Sequence, residues 1–200
     1  MLGGTFDPVH SGHLVAAREV RGRLGLGKVF FIPAGKPWFK TAGPVTPAGR
    51  RLKMVNLAIE SEPGFIASDI EIKRSGFSYT VDTIRELKGK AGKEGELYFI
   101  LGWDNLVDLP RWHEPLELIS LCRLVAVPRV GCPVPDLKRL EEAIPGISSR
   151  VIMMDKPQLD IRASVIRQRV AEGLPIEQLV PQPVAEYIKK EGLYLKESSL

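Results

Sequence analysis

Cysteine is scarce in this chain. Cys122 and Cys132 are the only two in 200 residues, and their spacing makes neither a metal cage nor a disulfide framework, so each reads as a packing or loop residue in a reducing compartment. No apolar run approaches the roughly 18 residues that span a bilayer, and the amino terminus, Met-Leu-Gly-Gly, has neither the basic head nor the apolar body of a secretion signal. A cytoplasmic protein without a membrane segment is expected. Charge of one sign is not concentrated anywhere either: the net charge is +4 and the pI near 9.1, but acids are interspersed among the bases. That pattern gives no footprint for nucleic acid and asks for nothing beyond a small charged ligand. Internal repeats, low-complexity tracts and linkers are absent, and the residues show no Ser-His-Asp or Cys-His arrangement.

What is present is enough apolar material for one core. At 44% hydrophobic composition, a chain of this size buries roughly 70% of its unfolded surface, so residues 1–200 are expected to form one domain, with a helical part from about 161–200 packed on it. Apolar runs at Lys28–Pro33, Leu97–Leu101, Arg123–Val127 and Arg150–Met154 read as strands buried on both faces. Helical periodicity marks His13–Leu24, Pro47–Ser61, Thr80–Lys90, Leu137–Ile144, Ala163–Glu172 and Val184–Glu191. Thr46-Pro47 supplies an N-cap followed by proline, and Gly25, Gly92, Gly173 and Gly192 are stop signals. The alternation predicts an α/β, doubly wound, mostly parallel sheet with helices on both faces. Phe65–Arg74 alternates and predicts a strand followed by an extended excursion over the site; Ala34–Pro44, rich in Gly, Pro and Lys, is a loop. Only Met1 and Leu2 precede Gly3, too little to cross a sheet at about 3.3 Å per residue. The first strand is therefore expected to be truncated or missing, or the natural start to lie upstream.

The strongest local signal is Gly3-Gly4-Thr5-Phe6-Asp7-Pro8-Val9-His10-Ser11-Gly12-His13. Paired glycines let the backbone turn and approach a ligand, and the amides that follow lead into a helix N-terminus, where partial positive charge favours phosphate. His10 and His13, two of only three histidines, are three apart and can face one anion. A bland reading, in which His10 caps the turn and His13 is a satisfied core residue, is outweighed by the glycines and the paired imidazoles. Zinc is not supported, because a third and fourth ligand are lacking. Gly22–Lys28 imitates the start of a P-loop, but Val29 replaces the Ser/Thr and a strand follows where a helix is needed.

GGTFDPVHSGH resembles the phosphate-binding signature of the nucleotidylyltransferase superfamily, with its H-x-G-H element. Ser78-Tyr79-Thr80-Val81-Asp82-Thr83, Gly102-Trp103-Asp104, Leu109-Pro110-Arg111-Trp112 and the Lys36-Pro37-Trp38-Phe39-Lys40 loop narrow the resemblance to the bacterial nicotinate-nucleotide adenylyltransferases, which have a Rossmann-like nucleotidyltransferase fold. The resemblance implies transfer of AMP from ATP to nicotinate mononucleotide, giving deamido-NAD and pyrophosphate. It implies that His10 and His13 act on the ATP phosphates over a cradle of Gly3, Gly4, Thr5 and Phe6, and that Gly102 and Asp104 face the adenosine. Trp112 would stack on the pyridine ring, the amides around Tyr79 and Thr80 would hold its carboxylate, and Lys36 and Lys40 would neutralise the acceptor phosphate. Ile161-Arg162-Ala163-Ser164-Val165-Ile166-Arg167 resembles the family's I-S-S-T-x-I-R signature. Ile161, Ser164 and Arg167 would stand near the triphosphate, and Arg162, where a serine is usual, would act as an extra clamp. Mg²⁺ is implied, held mainly through the ATP phosphates, with no protein ligand. The alternatives are another superfamily nucleotidyltransferase, such as a phosphopantetheine adenylyltransferase or cytidylyltransferase, or a nucleotide-binding regulatory protein with weak turnover. A homo-oligomer is compatible with the sequence, which leaves oligomeric state open.

Overall fold

The computed structural model describes residues 1–38, 44–92, 95–158 and 160–195. Six parallel strands form one sheet in the order β3-β2-β1-β4-β5-β6: β1 (Leu2–Gly4), β2 (Val29–Pro33), β3 (Phe65–Ala67), β4 (Tyr98–Gly102), β5 (Arg123–Val127) and β6 (Val151–Met153). The helices are α1 (Ser11–Arg23), α2 (Ala48–Ile59), α3 (Thr80–Ala91), α4 (Trp103–Asp108), α5 (Pro115–Leu121), α6 (Leu137–Ala143), α7 (Ala163–Ala171) and α8 (Gln182–Lys190).

Period-two alternation along the strands divides the core. In β4, Ile100 joins the cluster under α1, α2 and α8, while Phe99 and Leu101 join the cluster under α3 and α5. In β5, Val125 and Val127 go one way and Leu124 and Ala126 the other. Apolar side chains on both faces explain why these strands read as continuous hydrophobic runs. The C-terminal helices bring Ile166, Val184 and Ile188 into the first cluster. No helix among the described residues is long and apolar enough to cross a membrane.

The first strand is present and short. Its three residues sit in the middle of the sheet, pairing Leu2 with Phe31 on one side and with Ile100 on the other, and β3 and β6 are no longer. Two neighbours hold β1, so length is not what places it. Other expectations need correction. The residue at the N-cap of α2 is Pro47, and no side chain caps that helix; the Thr46 amide is turned instead toward Asp7. The segment after β3 is not extended: it turns back on itself through Asp69–Lys73, burying Ile70 and Glu71. Helices α4 and α5 escaped sequence reading because each is under two turns long, and α5 starts from Glu114 at φ 49°, a backbone state no side chain announces. Gly25 and Gly92, at φ 62° and 73°, end α1 and α3 in the left-handed region, as stop glycines should.

Candidate active site

The strand order reverses between β1 and β4, and a crevice is expected at the C-terminal ends of the strands at such a point. A cleft of about 500 Å³ fills it, floored by Gly4 and Gly102. Gly3, Thr5 and Phe6 continue its rim toward the N-terminus of α1. Phe6 is held at φ 50°, a left-handed conformation that costs a non-glycine residue on the order of 1–2 kcal/mol and is retained only where the surroundings impose it. Its buried ring packs edge-on against His13 at 4.9 Å. The turn therefore sets the orientation of an imidazole.

The two histidines meet. Their rings stack at 3.7 Å with 24° between planes, and the His10 backbone N–H donates to His13 Nδ1 at 3.2 Å. Since Nδ1 accepts, the proton of His13 belongs on Nε2, which becomes a donor. Gly12 is required by this packing: a Cβ there would stand 3.0 Å from His10 Nδ1. His10 is the N-cap residue of α1 and forms a capping box with His13, yet its Nδ1 is buried with no hydrogen-bond partner. Burial, with the Arg129 guanidinium adding to it, depresses the His10 pKa to about 4. Burial also holds His13 well below its usual value, with His10 and Arg129 contributing. Both imidazoles are thus neutral near pH 7, and they can donate N–H to an anion without bringing charge.

Neutral histidines make stability depend on pH in a defined direction. Unfolded histidine takes a proton near pH 6.5, while His10 resists until about pH 4. The unfolded state therefore binds protons first as pH falls, and stability is lost between these values and unaffected by His10 above them. Imidazole NMR titration is expected to show His10 and His13 unprotonated at pH 5.5, with the urea midpoint dropping from pH 7 to pH 5. A His10 midpoint near 6.5 contradicts this.

Gly102 and Asp104 lie across the cleft at the start of α4. A Cβ on Gly102 would come within 2.5 Å of Asp104 Oδ1, and Asp104 Oδ2 accepts from Arg129 Nη1 at 2.9 Å. The N-terminus of α7 forms the roof, with Ile161, Ser164 and Arg167 lining the cleft and Arg162 at the N-cap beside them. Arg167 is partly committed elsewhere, since its Nη1 donates to the Asp7 carbonyl at 2.8 Å. At the far end, Trp112 and Thr80 line the cleft. The Trp112 ring lies 6.0 Å from Phe99, and its Nε1 is buried without a partner.

Two expected residues stand elsewhere and one lies outside the described residues. The Tyr79 ring is not on the cleft wall; it packs on His113 at 4.2 Å and Trp38 at 5.4 Å, leaving only its backbone near α3's first turn. The Lys36 ammonium sits over the Phe77 ring at 4.6 Å and does not line the cleft. Lys40 lies outside the described residues. Residues that sequence reading passed over are Asp7, Arg129, Ser78 and Arg51. Ser78 Oγ accepts from the amides of Gly35 and Lys36 at 2.9 and 3.2 Å, tying the loop after β2 to the approach to α3. Arg51 had a signal: it falls on the stripe of Met54, Val55 and Ala58, where a charge is out of place on an amphipathic helix. Among the described residues no group of three His, Cys, Asp or Glu side chains could hold a metal ion.

The cytidylyltransferase-like family profile matches residues 1–169. A Dehalococcoides mccartyi protein named "Probable nicotinate-nucleotide adenylyltransferase" is 53% identical over 194 residues, spanning 97% of this chain and 95% of its own length. The chain belongs to the nicotinate-nucleotide adenylyltransferase family. A member of the same name from Thermomicrobium roseum is 43% identical over 97% of this chain and 90% of its own. The fold of this adenylyltransferase family member also matches a solved structure, Plasmodium falciparum nicotinic acid mononucleotide adenylyltransferase complexed with NaAD, with a TM-score of 0.79 over 96% of this chain and 95% of that one, at 19% identity.

Proposed function

We propose that this chain, working as a single domain, transfers the adenylyl group of ATP to nicotinate mononucleotide, giving deamido-NAD and pyrophosphate. The observation that carries the reading is the stacked, neutral His10–His13 pair at the N-terminus of α1, within a cleft whose other end is walled by Trp112. In the reaction an oxygen of the acceptor phosphate attacks the α-phosphorus of ATP, and the bond from that phosphorus to the pyrophosphate oxygen breaks. The acceptor phosphate has a second pKa of about 6 and is largely ionised at neutral pH, so no general base is required. Catalysis then rests on holding the two phosphates in line and on stabilising the charge that gathers on the equatorial oxygens.

The residues of the cleft suit those tasks. His10 and His13 would donate to the α-phosphate region, and the amides of Thr5 and Phe6 would cradle the chain of phosphates. The start of α7, with Ser164, Arg162 and the free part of Arg167, would receive its outer end. Gly102 and Asp104 would accommodate the adenosine. Trp112 would stack on the pyridine ring, its orphaned Nε1 gaining an acceptor, and the amides that open α3 at Thr80 would bind the carboxylate. Mg²⁺ would enter with ATP as counterion to the phosphates, held by substrate oxygens and water.

Pyrophosphate release from ATP tests the assignment with three acceptors offered in turn. Nicotinate mononucleotide is expected to support turnover, nicotinamide mononucleotide to be used far less efficiently, by up to about 10⁴ where buried donors lose their acceptor, and phosphopantetheine not at all. Faster turnover with phosphopantetheine, or none with any acceptor, overturns the proposal.

A further inference from the structure

The phosphate cradle is fastened from outside the cleft by the end of the chain. Asp7 follows the strained Phe6, is only 6% exposed, and is engaged by three segments remote in sequence. Its Oδ2 accepts from the Thr46 amide at 3.1 Å, its carbonyl from Arg167 Nη1 at 2.8 Å, and its Oδ1 from the Tyr194 hydroxyl at 2.6 Å. The carboxylate is therefore occupied with positioning. Tyr194 lies beyond α8 and adopts φ 65°, the same uncommon left-handed state as Phe6. Leu193, buried in the first core cluster, fixes the preceding residue, and its amide donates to the Ile188 carbonyl at 3.0 Å. Burial, and then the Asp7 carboxylate, push the Tyr194 phenol above its usual pKa, so it remains a donor at any pH the enzyme meets. Tyr194 is thus linked to Asp7, the residue that follows the left-handed Phe6, by a charge-assisted hydrogen bond of the kind that is short and strong.

We propose that Tyr194 is a positioning residue for adenylyl transfer: by donating its hydroxyl to Asp7, it holds the Phe6 turn and the His10–His13 pair at the ATP phosphates. This rests on the reaction proposed above. The strap reaches the ATP side of the cleft, whereas Trp112 and Thr80, at the acceptor side, stand on elements that do not touch Asp7 in any hydrogen bond described here. A loosened cradle misplaces ATP in the transition state and leaves acceptor recognition alone.

Tyr194→Phe removes only the hydroxyl and keeps the ring. In deamido-NAD formation from ATP and nicotinate mononucleotide, the variant is expected to lose kcat/KM for ATP about tenfold, with the KM for nicotinate mononucleotide within twofold of wild type. Tenfold corresponds to roughly 1.4 kcal/mol, at the lower edge of what a hydrogen bond to a charged group contributes. Tyr187→Phe, a hydroxyl deletion on α8, is the control and is expected to change neither value. In an Asp7→Asn background, removing the Tyr194 hydroxyl is expected to cost less than half as much in logarithmic terms, because the charged acceptor is already gone. An unchanged kcat/KM for ATP in Tyr194→Phe overturns the proposal, as does an equal loss toward both substrates. Wild type that forms no deamido-NAD refutes the underlying reaction instead, so the two failures are distinguishable.

Discussion

Replacing His10 with alanine is expected to lower kcat by roughly 10²–10³, comparable to deleting one preorganised donor from an oxyanion site, while the protein stays folded. The kinetic loss should be out of proportion to any loss of stability. His10 Nδ1 has no hydrogen-bond partner; alanine removes, besides the capping contact at the start of α1, an N–H held ready for a charge not yet there. Because the imidazole is neutral at pH 7, the role proposed for it is donation and not cationic attraction. His10→Asn, which keeps an N–H donor, should retain more activity than His10→Lys, which supplies charge into a buried place. His13→Ala should behave differently: it also removes the acceptor of the His10 amide and should cost about 1 kcal/mol of stability, as loss of a helix cap does. Single-turnover rates with saturating ATP, alongside urea midpoints, separate the two. A His10→Ala enzyme with wild-type kcat removes this histidine from the mechanism.

The parts of this molecule that follow from local chemistry were legible in the sequence. Apolar runs over β2, β4, β5 and β6 reveal strands because a sheet covered on both faces leaves no polar side to its strands, and the glycine-rich turn followed by His-x-Gly-His marks where the candidate site begins. The structure gathers these motifs at one cleft. What could not be read depends on contacts between segments far apart in the chain. The hydrogen bond between Tyr194 and Asp7 spans 187 residues, and nothing near either residue foretells it. The first strand, expected to be truncated or missing because local reasoning counts residues, is a three-residue strand whose place is fixed by pairing on both sides. The expectation at Tyr79 concerns the backbone amides that open α3; its ring, which the motif does not place, packs on His113 and Trp38. Lys36 was read as a partner for phosphate, and an aromatic face beside it now holds its ammonium.

Arg51→Met is expected to be strongly destabilising, lowering stability by about 3–5 kcal/mol, the range for breaking a buried charged network. Arg51 is 1% exposed, and its guanidinium serves four carbonyls: Thr5 from Nη1 at 2.6 Å, Thr46 from Nε at 2.7 Å, and Ala34 and Gly35 from Nη2 at 2.6 and 3.3 Å. These belong to the turn after β1, the segment that leads into α2, and the loop leaving β2, three pieces of backbone that Arg51 ties to one another. Methionine fills similar space but leaves those acceptors facing each other without a donor, and a buried polar group stripped of its partner costs more than the bond itself was worth. Lysine cannot substitute, because a single ammonium has no rigid fork to reach several carbonyls at once; Arg51→Lys should recover less than half of the lost stability. Against a total of roughly 5–15 kcal/mol for a domain, and with each kcal/mol shifting Tm by about 2–4 °C at this size, the methionine variant should melt about 10 °C or more below wild type. The loss should narrow when ATP is added, since the ligand binds the folded cradle and not the unfolded chain. A melting temperature within about 3 °C of wild type would mean that the three loops hold themselves in place, and that the buried cation is a passenger in the core and not the clamp that shapes the phosphate site.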